Sequence, residues 1–185
     1  MQLEISKIIA DFIENRISAK EFESWVYSNQ HLEDELGMEL YTELISINFK
    51  DSSARIAVKK LLDSEIDYRT LHRTQLIQLI EEIEFKKKDL LDGISELYEW
   101  ADKGYAFLGR INSVGNFGEQ GKSVVLIVDK ELSNEEKWNV ILRDDPHFLT
   151  DLKTIRLKIE QNEILITGEI ETVKFLGRQY KYLEK

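Results

Sequence analysis

The segment GNFGEQGKS at 115–123 has the composition of a phosphate-binding loop, in which glycine amides and a lysine surround the phosphates of a nucleotide. The pattern G-x-x-x-x-G-K-S requires its first glycine at position 116, where this chain has Asn116. Such a loop must also lead from a strand into a helix, but the β-branched run SVVLIV at 123–128 follows it here. We therefore predict a hairpin loop followed by a buried strand, and no nucleotide site.

The histidines His31, His72 and His147 are the only imidazoles, and the chain contains no cysteine. None of them has the H-x-x-x-H or H-E-x-x-H spacing that would place two imidazoles on one helical face. A metal site would have to be assembled from distant segments, and we expect His31 on the surface at a helix start. We predict no metal site and no cofactor.

The residues around Pro146 are also candidates for a cation site, because Asp144 and Asp145 precede it and His147 follows it. Asp and Pro favour turns through their backbone geometry. We therefore predict a turn at this position.

Carboxylates also occur in adjacent pairs, as at Glu81 with Glu82 and at Glu135 with Glu136. Acid–base catalysis would need one carboxylate whose pKa is raised in a pocket, and the sequence indicates no such pocket. No G-x-S-x-G nucleophile turn is present either. We predict no catalytic residues.

The strongest charge feature is a carboxylate cluster in a stretch that has no Lys or Arg between Lys20 and Lys50. Residues 1–67 contain 7 Lys and Arg against 14 Asp and Glu, whereas residues 68–185 contain 18 against 21. A negative field disfavours nucleic acid and attracts a basic protein. Acidity that serves only solubility is the alternative. The predicted protein-binding residues are Glu33, Asp34, Glu35, Glu39 and Glu43.

Two short helices should position this cluster. Ser18 and Glu21 have the spacing of a capping box, which predicts a helix start at Ser18. Gly37 should break the next segment. The apolar stripe of the first helix is Phe22, Trp25 and Val26, and that of the second is Met38, Tyr41, Leu44, Ile45 and Asn48.

The run FIENRISAKEFESWVYSNQHLEDELGMELYTELISINFKD, followed by AVKKLLDSEID, resembles the N-terminal helical part of small immunity-type proteins that bacteria encode beside polymorphic toxins. The resemblance covers about a third of the chain, does not reach residues 100–185 and contains no catalytic motif. It implies a cytoplasmic protein that binds and blocks a toxin domain. The residues that carry it are Phe22, Trp25, Leu32, Leu36, Gly37, Leu40, Tyr41, Leu44 and Ile45.

Further helices are predicted along the rest of the first hundred residues. Apolar residues at helical spacing indicate helices over about 3–15, from Asp51 or Ser52 onwards, over 70–88 and over 90–103. The last two are either separated at Lys88–Asp89 or form one long helix. Arg55, Lys59 and Lys60 are expected on a solvated helical face.

After Gly104 the pattern changes. Tyr105–Ile111 is interpreted as the hairpin partner of the 123–128 strand, and alternation of apolar residues over 155–160 and 164–170 predicts an antiparallel meander. A second capping box at Ser133 and Glu136 predicts one helix between these strands, ending before Pro146.

The three tryptophans, Trp25, Trp100 and Trp138, have helical spacing with aliphatic residues. We expect them in the core, with an exposed binding anchor as the alternative.

The sequence as a whole predicts an α+β protein with a helical domain at 1–103 and a smaller α+β domain at 104–185. No apolar run approaches the roughly 20 residues that span a bilayer, so we predict a soluble cytoplasmic protein that binds neither membrane nor nucleic acid. The oligomeric state is left open. The favoured function is a non-enzymatic, immunity-type inhibitor of a basic toxin domain. The alternatives are a scaffolding protein and an enzyme whose site lies in the C-terminal half.

Overall fold

The structure is a computed structural model that describes residues 1–111, 114 and 131–185. Helices precede a C-terminal antiparallel hairpin, which confirms the predicted α+β class. The helices are α1 Leu3–Ile13, α2 Ala19–Ser28, α3 Leu32–Leu36, α4 Met38–Ile45, α5 Ala54–Leu62, α6 Tyr68–Glu84, α7 Leu90–Asp102, α8 Asn134–Asp144 and α9 Phe148–Glu160, with 3-10 helices at Asp63–Glu65 and Ala106–Arg110. The strands are β1 Ile164–Val173 and β2 Gly177–Glu184.

The chain divides into two compact units, Met1–Leu71 and His72–Lys185, so the boundary differs from the one expected at residue 103. The difference has a physical reason. Helix α7 packs against α8 and against the 3-10 helix Ala106–Arg110 that follows it. Residues 72–103 therefore share a core with the elements that come after them, although their helical pattern continues that of the first unit.

The core of the first unit is aromatic. Phe12 of α1 stacks on Phe22 of α2, with ring centroids 4.1 Å apart, and Phe49 contacts both rings edge-on. The predicted capping box is present, since the Ser18 hydroxyl accepts from the Glu21 amide and the Glu21 carboxylate accepts from the Ser18 amide. The Ser18 hydroxyl also donates to the Glu21 carboxylate, and this bond, followed by the one from the Ser18 amide, holds the pKa of Glu21 below its ordinary value.

Arg55 departs from the solvated face predicted for it. Its guanidinium donates to the carbonyl oxygens of Phe12 and Ile17 and lies 4.4 Å from the centre of the Phe12 ring. It therefore joins α5 to the end of α1, a role that helical periodicity does not reveal. Lys59 and Lys60 are exposed, as predicted.

Four of the described helices end in the same hydrogen-bonded motif. In each, a residue with positive φ follows the helix, at Asn15, Lys86, Gly104 and Asn162. At α6 the Lys86 amide donates to Ile83 and the Lys87 amide to Glu82, the paired bonds of a Schellman motif. Helix α6 therefore ends at Glu84, before the lysine run that was expected to complete it.

In the second unit, Asp89 joins two helices. One carboxylate oxygen of Asp89 accepts from the Leu91 and Asp92 amides and caps α7, and the other accepts from the Lys137 ammonium of α8 at 2.8 Å. The hydrogen bond from Lys137 is the main reason why the pKa of Asp89 lies below its ordinary value, and the Leu91 and Asp92 amides lower it further. Burial opposes this shift.

Arg156 of α9 connects that helix to α6. Its guanidinium donates to Glu84 at 2.9 Å and to Glu160 at 2.8 Å, and lies 3.7 Å from Glu81. Glu81, one of the paired carboxylates considered for catalysis, thus belongs to a structural ion-pair network.

Two predicted strands are wrong. Residues 106–110 form a 3-10 helix. The Leu108 amide donates to the Tyr105 carbonyl, and the Ile111 amide donates to the Leu108 carbonyl. This helix is favoured because the buried residues recur at a spacing of three. Residues 155–160 belong to α9, whose buried face is Phe148, Leu152 and Ile159. This helical period outweighs the short alternation of Ile155, Leu157 and Ile159. The strand predicted at 123–128 and the loop at 115–123 lie outside the described residues.

The sheet of the described residues is a two-stranded hairpin in place of the expected meander. Ile164 pairs with Glu184 and Val173 with Gly177, and the register is interrupted between Ile166 and Ile170. Ile164 and Ile166 are buried, whereas the distal part of the hairpin is largely exposed. Within the described part of the chain, no helix has the length and apolar character needed to cross a membrane.

Candidate functional site

The carboxylates predicted to bind a partner lie on two consecutive helices of the first unit. Glu33 and Asp34 are exposed on α3, and Glu39 and Glu43 are exposed on α4. Gly37, with φ +80°, forms the junction between the helices, and α3 contacts α4. The structure therefore brings these four side chains onto neighbouring elements.

Glu35 differs from the other members of the cluster. Its carboxylate is only half-exposed and accepts hydrogen bonds from the Gln2 amide at 2.9 Å and the Gln2 side chain at 2.8 Å. It holds the beginning of α1 against α3, which leaves less of its charge available to a partner.

No ion pair neutralises Glu33, Asp34, Glu39 or Glu43 within the residues that the structure describes. Glu39 and Glu43 are four residues apart, so they lie on the same face of α4 and repel one another slightly. Like charges left unpaired on one face raise the local negative potential and attract cationic groups.

Two large side chains are exposed on α4 and on α2, which is hydrogen-bonded to the end of α4. Met38 is 72% exposed at the start of α4, where an apolar stripe facing the core was expected. Tyr27 of α2 is 61% exposed, and its hydroxyl donates to the Ile45 carbonyl at the end of α4. Protein interfaces are enriched in methionine and tyrosine.

The solvent-facing half of α4 explains the position of Met38. The exposed residues Met38, Glu39, Thr42, Glu43 and Ser46 recur at helical spacing, while Leu44 on the other side is buried. Met38 and Thr42 are one turn apart, and Thr42 donates to the Met38 carbonyl at 2.6 Å. Met38 consequently shares a surface with Glu39 and Glu43, and we call Glu33, Asp34, Met38, Glu39 and Glu43 the acidic surface.

The histidines have three different environments. His31 precedes α3 and is exposed, as predicted, and His147 is exposed before α9. His72 is buried, and its Nδ1 lies 2.8 Å from the Tyr105 hydroxyl. The Tyr180 ring lies edge-on to His72 at 4.3 Å. Sequence reasoning gave no indication of this burial.

The described residues contain no group of three or more His, Asp, Glu or Cys side chains that could hold a metal ion. Asp145 is buried in a turn, where its carbonyl accepts from the Phe148 amide at 3.1 Å, in agreement with the turn predicted around Pro146. Glu136 is the capping-box partner of Ser133, whose hydrogen bonds lower its pKa. The Glu136 carboxylate thus has a local structural role.

The tryptophans divide between core and partial exposure. Trp100 and Trp138 are buried, as expected. Trp25 is only half-buried, with its ring 5.5 Å from that of Phe22. Trp100 and Trp138 therefore belong to the core, and Trp25 belongs to it only in part.

Protein-family models, curated proteins and solved structures contain no match to this chain. The resemblance to immunity-type proteins accordingly stays a prediction.

Sequence reasoning missed the apolar members of this region. The helical spacing of Met38 to Tyr41 and Ile45 predicts Met38 in the buried stripe. The exposed positions of α4 have the same period, so spacing alone does not distinguish the two faces. The acidic neighbour Glu39 was the available signal, because it lies on the exposed side of the helix.

Proposed function

We propose that this protein acts without catalysis by binding a basic protein domain through its acidic surface, as an immunity-type inhibitor of a toxin. The observation that carries the proposal is a group of four exposed carboxylates on α3 and α4 that have no ion-pair partner among the described residues, with Met38 exposed beside Glu39. Charge supplies attraction at long range, and the apolar side chain supplies contact area when water is displaced.

The local charge composition supports a basic partner. The stretch between Lys20 and Lys50 contains no Lys or Arg that could compete for these carboxylates locally. Basic toxin domains that act on nucleic acid need their cations for phosphate. A protein that covers those cations with carboxylates would block access to the substrate.

The experiment compares the native chain with a variant carrying Glu33→Gln, Asp34→Asn, Glu39→Gln and Glu43→Gln. Neutral side chains are used in place of lysines, because the helix dipole disfavours a positive charge in the first turns of α3 and α4. The proposal predicts that a toxin domain is encoded beside this gene. That domain is the partner, and association rates are measured at low and high salt. Protection of cells from that toxin is the second readout.

We expect slower association by about tenfold or more at low salt and a flatter salt dependence, because electrostatic steering raises association rates by factors of about 10–1000. The matched control neutralises the exposed carboxylates Glu99, Asp102, Glu163 and Glu169, which produces the same change of net charge in the second unit. Unchanged rates for the first variant, or an equal loss in the control, would contradict the proposal.

The contribution of Met38 is tested separately. Met38→Ala should speed dissociation while leaving the association rate nearly unchanged, since an apolar contact acts only after the encounter. Exposed Ile56→Ala on α5 is the control substitution in the same unit.

A further inference from the structure

A cavity of about 200 Å³ lies in the second unit between α9, the 3-10 helix Ala106–Arg110 and the start of β1. It is partly enclosed. A cavity of about 150 Å³ is enough to hold benzene in another protein, so this one has room for a small organic molecule.

The floor of the cavity is apolar. Phe107, Ile111 and Ile164 line it and are almost completely buried, and Ile155 of α9 forms one wall. A hydrocarbon group placed there would be removed from water, which favours binding.

One face of α9 places opposite charges at the two ends of this cavity. Asp151, Thr154, Ile155 and Lys158 all line it, at spacings of three, four and seven residues. With a rise of about 1.5 Å per residue, the backbones of Asp151 and Lys158 are about 10.5 Å apart along the helix. Ile155 lies between them.

Both of these charges are unpaired among the described residues, since neither Asp151 nor Lys158 forms an ion pair or a side-chain hydrogen bond there. The third charged residue of the rim differs. Arg110 forms an ion pair with Glu184, with nitrogen–oxygen distances of 2.7 and 3.0 Å. The charges that remain for a ligand are therefore one carboxylate and one ammonium at opposite ends of an apolar floor.

We propose that this cavity binds an elongated zwitterion, whose ammonium pairs with Asp151, whose carboxylate pairs with Lys158 and whose hydrocarbon chain covers Ile155. A ligand with adjacent charges would leave one end of the site unsatisfied, and so would a simple fatty acid or amine. The ligand class is that of ω-amino acids. The C-terminal lysine of a peptide offers the same chemistry.

The test uses 6-aminohexanoate as the probe, with hexanoate and hexylamine as homologues that each carry one of its charges. Titrations of the ¹⁵N-labelled full chain, followed at the amides of Thr154 and Ile155, give the dissociation constants and locate the site. We expect 6-aminohexanoate to bind at least about tenfold more tightly than either homologue, which corresponds to about 1.4 kcal/mol. Equal affinities for all three probes would overturn the proposal.

Two substitutions assign the ends of the ligand. Lys158→Gln should weaken 6-aminohexanoate and hexanoate but not hexylamine, and Asp151→Asn should weaken 6-aminohexanoate and hexylamine but not hexanoate. Lys153→Gln, at an exposed position of α9 outside the cavity, is the matched control. Circular dichroism verifies that each variant is folded. Affinities unchanged by both substitutions, or a loss equal to that in the control, would refute the assignment.

Nα-Acetyl-lysine, with a free carboxylate, separates the two sources of this chemistry. Tighter binding of this compound than of 6-aminohexanoate identifies a peptide C-terminus as the ligand, and weaker binding identifies a free ω-amino acid. Because the cavity consists of residues of the second unit alone, this test is separate from that of the acidic surface.

Discussion

Gly104 lies against the backbone of Tyr180 so closely that a Cβ atom at position 104 would be 2.3 Å from the Tyr180 carbonyl oxygen. The Tyr180 amide donates to the carbonyl of Lys103 at 2.8 Å, so the residues that follow α7 are bonded directly to β2. Gly104 also has φ +118°, a conformation that side chains rarely adopt. The hairpin is thus attached to the helices at a position where only glycine fits.

Gly104→Ala should lower the free energy of unfolding by about 3 kcal/mol or more, since the added methyl group meets backbone that cannot move aside and the positive φ becomes strained. Gly109→Ala is the matched control, because nothing lies within 4 Å of a Cβ there. Denaturant unfolding measures both. Equal, small effects of the two substitutions would mean that the contact between Gly104 and Tyr180 is absent in solution.

Asp89 should make the free energy of unfolding depend on pH in the acidic range. Its pKa is lowered in the folded state by Lys137 and the α7 amides, so the stabilisation is present above the unfolded pKa, about 3.9, and is lost as the pH falls through the folded value. Asp89→Asn keeps a capping oxygen but loses the charge, which should cost about 1 kcal/mol at neutral pH.

The difference between native chain and Asp89→Asn should shrink as the pH falls below about 4, as measured by thermal unfolding between pH 7 and 2. Asp92→Asn is the control, at an exposed carboxylate in the same helical turn. A difference that is constant across this range would show that the Asp89–Lys137 charge interaction contributes nothing.

Substitution of Phe175, at the tip of the hairpin, should stabilise the protein. It is 93% exposed and has φ +76°, so its side chain buries little surface while its backbone is strained. Phe175→Gly should raise the free energy of unfolding by up to about 1 kcal/mol, because relief of the left-handed strain exceeds the added entropy of the unfolded chain. Leu176→Gly, which relieves no such strain, should not stabilise; melting temperatures distinguish the two.

The tryptophans should differ in their energetic contributions. Trp138 is 1% exposed and contacts Phe148, with ring centroids 6.0 Å apart, so Trp138→Ala should cost about 3–5 kcal/mol. Trp25→Ala should lower the free energy of unfolding clearly less, because Trp25 is only half-buried and removes less surface from water. Urea unfolding of each variant provides the comparison. A loss at Trp25 as large as that at Trp138 would place Trp25 in the core after all.

Local hydrogen bonding made several elements predictable from the sequence. The capping boxes of Ser18 with Glu21 and of Ser133 with Glu136 each join residues three apart, so the starts of α2 and α8 follow from residue identity alone. The exposure of Glu33, Asp34, Glu39 and Glu43 was equally predictable, because burial of unpaired carboxylates is costly.

Tertiary structure decided the remainder, because sequence period does not specify which face is buried or which elements share a core. The alternation of Ile155, Leu157 and Ile159 is compatible with a strand, but burial of Phe148, Leu152 and Ile159 on one side makes the segment helical. The same helix then carries Asp151 and Lys158 to a cavity whose floor comes from residues distant in sequence. Sequence determined the starts of α2 and α8 and the charge of the acidic surface. Contacts between distant residues determined the unit boundary, the burial of His72 and the cavity, because these depend on long-range packing energies that no local pattern contains.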